Sequence, residues 1–187
     1  MNIFIRQAEI ADAKAIAPLI SDAIGDIANN LTGEQELPKI IATLEQLVKE
    51  TSNRHSYLNT FVAVANDTVQ GIVVLYDGIK GAILDSQLEA QLAQKGIRLT
   101  IDVEAHEDEY YIDTICVSKE ARGLGIGTKL LQFAEEHGRK LGYQKLSLNV
   151  ELEKLDARRL YERMGFDVTE PWTIIDEPFH HMVKSLH

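Results

Sequence analysis

A second cysteine is missing from this chain. Cys116 stands alone, so no intramolecular disulfide can form, and the sequence reads as one suited to a reducing cytoplasm. Long apolar runs are missing as well. The opening Met1-Asn2-Ile3-Phe4-Ile5-Arg6 is too short for the apolar segment of a secretion signal. Gly71-Ile72-Val73-Val74-Leu75-Tyr76 falls far below the roughly 20 residues that span a bilayer. A soluble protein with no membrane partner is expected. Basic residues are in deficit: 19 Lys and Arg face 29 Asp and Glu, a formal charge of −10. Such a surface repels phosphate backbones, which argues against nucleic acid as a partner, and it attracts cations, amines among them. With no crosslink available the fold must rest on its core. A hydrophobic content of 45% over 187 residues suffices for one domain, residues 1–187, carrying a modest insertion.

Hydrophobic spacing alternates between strand and helix along the chain. Ile3 and Ile5 suggest a first strand. Asp12 is placed to cap a helix whose apolar face is Ala13, Ile16, Ala17, Ile20 and Ile24. Residues 25–37 read as a loop, and Pro38 opens a second helix through Ile40, Ile41, Leu44, Leu47 and Val48. Residues 61–65 and 69–76 form a hairpin turned at Asn66-Asp67. In the insertion, 79–108, Leu84, Leu88 and Leu92 predict a short helix ended by Gly96, and residues 97–103 alternate as a strand would. Tyr110 to Val117 is strongly strand-like. A helix over about 127–141, with Leu130, Leu131, Ala134 and Leu141 inward, follows it, and Gly138 leaves room for close packing. A strand at 145–150, a helix at 155–164 and two last strands, at 166–168 and 180–184, complete a mixed α/β domain.

The turn between the strand at 110–117 and its helix carries Arg122-Gly123-Leu124-Gly125-Ile126-Gly127. Glycines there permit positive φ and bring a ligand close to the backbone. The first N–H groups of the helix have no internal acceptor, and the helix dipole adds positive charge, so the turn suits a pyrophosphate. The dinucleotide fingerprint G-x-G-x-x-G fails because Thr128 occupies its last position, and the P-loop pattern fails because Gly127-Thr128-Lys129 reverses it.

Arg122, Gly125 and Gly127 satisfy the pattern Q/R-x-x-G-x-G/A. Ala157, Leu160, Tyr161, Gly165 and Phe166 satisfy A-x-x-L-Y-x-x-x-G-F downstream, in the right strand–helix–strand–helix order. With both motifs in register from Glu109 to Phe166, the chain resembles the GCN5-related N-acetyltransferase (GNAT) family. The resemblance implies an α+β acyl-CoA N-acyltransferase fold with a central, mostly antiparallel twisted sheet and about four helices. It implies acetyl-CoA as cosubstrate, cradled by Arg122 and the backbone of Gly123, Gly125, Ile126, Gly127 and Thr128. The pantetheine arm would lie along Ile115, Cys116 and Val117, as an added strand does. One position departs from the pattern: Lys154 stands where the family often has an asparagine that contacts the coenzyme.

The resemblance also places Tyr161 beside the thioester sulfur, where a phenol that keeps its proton at neutral pH can donate to the departing thiolate. The same tyrosine sits on the apolar face Ala157, Leu160, Tyr161, Met164, where it can also simply pack. The attacking amine must lose a proton. Two carboxylates are candidate bases: Glu109, which matches a position where the family often has its glutamate, and Asp113, costly inside an apolar strand unless paired or functional. Strict alternation would put Glu109, Tyr111, Asp113, Ile115 and Val117 on one face. Cys116 is expected to be inert, and no metal site is expected, because His180 and His181 point oppositely and lack ligand spacing.

The acceptor is expected to be a small-molecule or protein amine. It would be met by the loops at 25–37 and 170–178 and by the insertion, which would serve as a lid or as a homodimer contact. Two other classes compete: a coenzyme-binding sensor without turnover, towards which Lys154 leans, and a nucleotide-binding protein of another fold.

Overall fold

In the computed structural model, which describes residues 2–187, the chain forms one sheet of β1 (Ile3–Gln7), β2 (Thr60–Ala65), β3 (Thr68–Asp77), β4 (Tyr110–Val117), β5 (Lys145–Glu151), β6 (Asp167–Ile174) and β7 (Glu177–Ser185). Their order is β1-β2-β3-β4-β5-β7-β6, and only β4 and β5 pair in parallel. The helices are α1 (Ala13–Ile24), α2 (Ile27–Thr32), α3 (Leu37–Lys49), α4 (Gly81–Gln94), α5 (Ile126–Lys140) and α6 (Leu155–Arg163). None of them is long and apolar enough to cross a membrane.

Strand alternation sorts side chains between two cores. Val62, Val64, Ile72 and Cys116 face α1 and α3, meeting Ile16, Ile20, Leu44 and Leu47. Ala63, Val73, Ile112, Leu146 and Leu148 face α5, meeting Ile126, Leu130, Leu131 and Ala134. Gly138 lies where α5 crosses Tyr110 and Leu186, whose atoms would stand 3.1 and 3.0 Å from an added Cβ. The β2–β3 turn forms as its residues demand, with Asn66 and Asp67 at φ 50° and 59°.

Several expectations are corrected. Residues 25–37 are not all loop, since α2 forms within them and buries Ala28 and Leu31. Asp12 stands at the N-cap of α1 but gives its amides no side-chain bond; its carboxylate pairs with Arg6 at 2.7 and 2.9 Å and accepts the Glu9 N–H at 2.8 Å, capping the short turn at 10–12 instead. Leu141 is exposed, one residue past the end of α5. Residues 97–103 alternate but make no strand. Their backbone is instead met by side chains: the Ile101 N–H donates to Glu89 at 2.8 Å, and Trp172 Nε1 donates to the Val103 carbonyl at 2.7 Å. The stretch 170–178 is mostly β6 and β7, joined at Ile175-Asp176 with φ 48° and 61°.

The most consequential difference lies in β4. Val74 pairs with Thr114 and Leu75 with Ile112, so Asp113 is the extra residue of a β-bulge. Alternation reverses there. Tyr110, Ile112, Ile115 and Val117 all contact the α5 core, whereas Tyr111 packs on the opposite side with Tyr76. Asp113 hydrogen-bonds Tyr76 on that same side.

Backbone packs on backbone where β3 ends. Gly78 donates to the Glu109 carbonyl at 2.9 Å, and a Cβ at residue 78 would lie 2.1 Å from the His106 carbonyl oxygen. Neither atom can swing away as a side chain end can. Gly78→Ala should therefore cost about 1–3 kcal/mol, as overpacking does. Chemical denaturation should show this as a lower midpoint with unchanged slope.

Candidate active site

The parallel pairing of β4 and β5 lasts only from Tyr110↔Leu146 to Ile112↔Leu148. Beyond it β4 stays bonded to β3 through Val117 and β5 stays bonded to β7 through Glu151, but the two strands no longer pair with each other. The flank of β4 from Asp113 to Val117 that faces β5 is thus a sheet edge inside the protein, open to an extended ligand. Ile115, Cys116 and Val117 form this edge.

The glycine turn lies at the end of that edge. Gly123 and Gly125 both have φ 79°, and an added Cβ at either would meet nothing within 4 Å, so conformation alone requires glycine. The first recorded bond of α5 runs from the Lys129 N–H to Gly125 C=O at 3.1 Å. The N–H groups of Gly123, Leu124, Gly125, Ile126, Gly127 and Thr128 find no acceptor among the described residues. Together they form an anion cradle at a helix N-terminus. Arg122 is held beside it by a bond from Nε to the Val117 carbonyl at 3.3 Å.

A cavity of about 110 Å³ fills the opening between the strands. Tyr161 and Ala157 of α6, Ile115 of β4 and Val150 of β5 form its wall; Arg54, His55, Glu104 and Asp113 form its floor. Tyr161 is half-buried, and desolvation pushes its phenol up to about 12, with the Cys116 thiol adding to the effect. Burial also pushes the Cys116 thiol up, which keeps it protonated, and Sγ contacts the Val117 carbonyl at 3.8 Å. An outer groove continues past Lys154 between α1 and the start of β7, rimmed by Asp22, Asp26, Glu151, Glu153 and Glu177. Lys154 bridges that groove, reaching Glu151 at 3.0 Å and the Ala23 carbonyl at 3.3 Å.

The floor is a buried ion cluster. Arg54 Nε and Nη2 bond both oxygens of Asp85, at 2.7 and 3.0 Å. Arg54 Nη1 stands 3.2 Å from Asp113 and 2.6 Å from Glu104 Oε2. The last approach is an ion contact without hydrogen-bond alignment, so Glu104 Oε2 has no donor of its own. Asp113 accepts from Tyr76 at 2.5 Å and from Thr114 at 2.8 Å. Burial opposes ionisation of Asp113, but Arg54 and these hydroxyls hold its carboxyl below the usual range. Glu104 goes the other way: desolvation, with Asp113 and Asp85 adding to it, pushes the carboxyl up to about 8 against the pull of Arg54. His55 is fully buried with both ring nitrogens unpartnered, and burial pushes it down to about 4, so it is neutral.

The two carboxylates proposed as bases are thus separated. Asp113 lines the cavity. Glu109 does not: its side chain is buried under His181, whose Nε2 lies 3.0 and 3.1 Å from the two carboxylate oxygens. Burial raises its carboxyl, yet His181, Ser147 and the His106 N–H bring it below the usual value. Arg54 and His55 were not singled out in the sequence, and Glu104 stood out only as one of several acidic residues in the segments expected to meet the acceptor. Arg54 and His55 sit in a polar stretch between helix and strand, and Glu104 just past the alternating residues 97–103 of the insertion; only tertiary packing joins them.

With this geometry in hand, the comparisons with known proteins agree. The model of the Acetyltransferase (GNAT) family matches residues 34–166, and the chain belongs to that family, whose members are acetyl-CoA-dependent acyltransferases. A crystal structure of an acetyltransferase is 32% identical, superposes with a TM-score of 0.83 and is covered over 100% of its length by 98% of this chain. An N-acetyltransferase from Staphylococcus aureus Mu50 is 26% identical with the same TM-score, 0.83, over 96% of this chain and 99% of its own. The aminoalkylphosphonate N-acetyltransferase of Salmonella typhimurium is 30% identical over 98 residues, 48% of this chain and 64% of that protein. The chain spans less than two thirds of the length of the first curated relatives it matches, down to 21% for a chloroplastic Arabidopsis thaliana protein.

The ion cluster yields a pH signature. A carboxyl raised from 4.5 to about 8 holds a proton in the folded state that the unfolded chain has released. Its contribution is fully present below the unfolded value and is lost as pH rises through the folded one, so stability declines across that window. Urea unfolding should find the wild type less stable at about pH 9 than at about pH 6, and Glu104→Gln should flatten that slope. Arg54→Met, which strands three carboxylates, should cost about 3–5 kcal/mol and more at the higher pH.

Proposed function

We propose that this protein is an N-acetyltransferase that moves the acetyl group of acetyl-CoA to a primary amine by direct attack in a ternary complex. One observation carries the reading: the open flank of β4 leads from the unpaired N–H groups of residues 123–128 to a cavity holding Tyr161, Asp113 and Glu104. In this reading Arg122 and the backbone of Gly123, Gly125, Ile126, Gly127 and Thr128 hold the pyrophosphate. Ile115, Cys116 and Val117 take the pantetheine arm as an added strand, and the backbone near Ile115 polarises the thioester carbonyl.

The amine enters as an ammonium through the acidic outer groove, which favours a cationic small molecule or an exposed protein amine. It gives its first proton to the carboxylates of the floor, Asp113 and Glu104, of which Glu104 is nearer neutral pH in its basicity. The neutral nitrogen then bonds to the thioester carbon. As the carbon–sulfur bond breaks, Tyr161 donates to the thiolate and is reprotonated by the second proton from nitrogen. Of three ammonium protons, one stays on the amide, one ends on the thiol and one leaves through the groove. The thioester is already activated, so the transfer requires no metal. Glu109, tied to His181, is assigned a positioning role at the start of β4. A reducing compartment such as the cytoplasm suits the lone thiol of Cys116.

The first test is a thermal titration with acetyl-CoA, using NAD and ATP as controls. At a hundred times Kd a selective ligand adds about 2.7 kcal/mol, worth roughly 5–10 °C in a domain of this size. A shift with acetyl-CoA alone is expected, whereas none, or a larger one with NAD or ATP, would remove the reading. Tyr161→Phe should then lower kcat at least about tenfold in a CoA-release assay with an amine acceptor, while leaving the acetyl-CoA shift intact. Unchanged turnover would strip Tyr161 of the acid role.

A further inference from the structure

Away from the transfer cavity, the turn before β4, the start of β4 and the hairpin β6–β7 bring four donor side chains together. The ligand-type atoms of His106, Glu109 and His181 all lie within 4.8 Å of one another. The carboxylate of Glu170, on β6, reaches His106 Nε2. The hydrogen-bond frame around His181 fixes what its ring can carry. Asn149 Nδ2 donates to the Glu104 carbonyl at 2.7 Å and to the Tyr111 hydroxyl at 3.3 Å, so Asn149 Oδ1 faces His181. His181 Nδ1, 2.7 Å from that oxygen, must therefore be the N–H donor. The other nitrogen of a neutral ring would then aim a lone pair at Glu109, whose oxygens stand 3.0 and 3.1 Å away and also only accept. Both side chains are buried, His181 wholly and Glu109 with 2% of its side chain exposed. Two acceptors cannot face each other there without a positive centre between them. That centre is either a proton or a metal ion.

We propose that His106, Glu109, Glu170 and His181 form a binding site for one divalent transition-metal ion of the zinc class. Two imidazoles and two carboxylates make a nitrogen–oxygen donor set that zinc accepts in tetrahedral array. The contact from His181 Nδ1 to Asn149 is the outer bond that orients metal-binding histidines. On loading, His181 Nε2 releases its proton to solvent and His106 Nε2 turns from Glu170 to the ion. No redox step is involved. The ion would clamp the end of the insertion to β4, β6 and β7, beside the transfer cavity and outside it. Spacing along the chain gave no sign of this site, because its ligands come from three separate segments and only His106 and Glu109 are close in sequence.

The protein carries its own reporter. Trp172, the single tryptophan, stacks on His181 with ring centroids 4.5 Å apart and meets His106 edge-on at 5.0 Å. Untagged full-length protein, stripped with chelator and dialysed, would be titrated with Zn²⁺ and with Co²⁺. One equivalent should change Trp172 fluorescence saturably, cobalt should develop the visible absorption of a tetrahedral site, and Tm should rise. His106 and Glu170 are largely exposed, so His106→Gln and Glu170→Gln should fold normally, with native Tm in chelator, and bind at least about tenfold more weakly. No stoichiometric binding by the wild type would leave the proton as the positive centre and overturn the proposal. Binding that both variants retain unchanged would place the ion elsewhere and overturn it equally.

Discussion

One guanidinium organises the interior of this protein. Arg54 follows α3, yet its five N–H groups reach Asp85 on α4, Glu104 in the insertion and Asp113 on β4. Three segments distant in sequence are thereby fixed to a point beneath the opening of the sheet. Burying such a charge is costly, and a single partner would not offset it. Three carboxylates with supporting hydroxyls from Tyr76 and Thr114 do, and they leave the cluster with more negative than positive charge. The excess has a chemical meaning, because it leaves a raised carboxyl at the bottom of a cavity that an ammonium can approach.

The second constraint is the brevity of the parallel ladder. Three residue pairs join β4 to β5, after which each strand keeps only its other neighbour, β3 or β7. A sheet would ordinarily close such a gap or cover it with side chains. Here the gap is framed instead, by Tyr161 from α6 on one side and by the turn of α1 into α2 on the other. The unpaired amides of the glycine turn lie on the same line. An extended molecule with an anionic end would satisfy both sets of backbone groups at once, and the proposed cosubstrate site rests on that match.

Much of this was legible in the sequence where physics is local. The glycine turn announced itself because positive φ and free helix amides need particular residues at fixed spacing. The order of strands and helices followed from periodicity. Tyr161 was marked by its place in a motif, and its position in the cavity wall depends on the helix carrying that motif. What stayed hidden was decided by partners far away. Residues 97–103 alternate like a strand but pair with none, and side chains from α4 and β6 meet their backbone groups instead. Glu109 read equally as a candidate base and as a charge in an acidic run, and only the fold reveals His181 above it. Arg54 and Glu104 had no pattern at all, since an ion cluster built from separate segments leaves none.

The bulge at Asp113 divides β4 into two strands of opposite phase spliced end to end. Before the splice, odd-numbered residues look toward Tyr76 and the ion cluster; after it, odd-numbered residues look toward α5. Each half can therefore drift in sequence under its own rule, the first answering to the cavity floor and the second to the packing beneath the open edge. The join itself has no such latitude. Plain alternation with all eight residues kept, and so without the bulge, would send Ile115 and Val117 to the side of α1 and Cys116 to the side of α5. The length of this strand, as much as its composition, is part of the site.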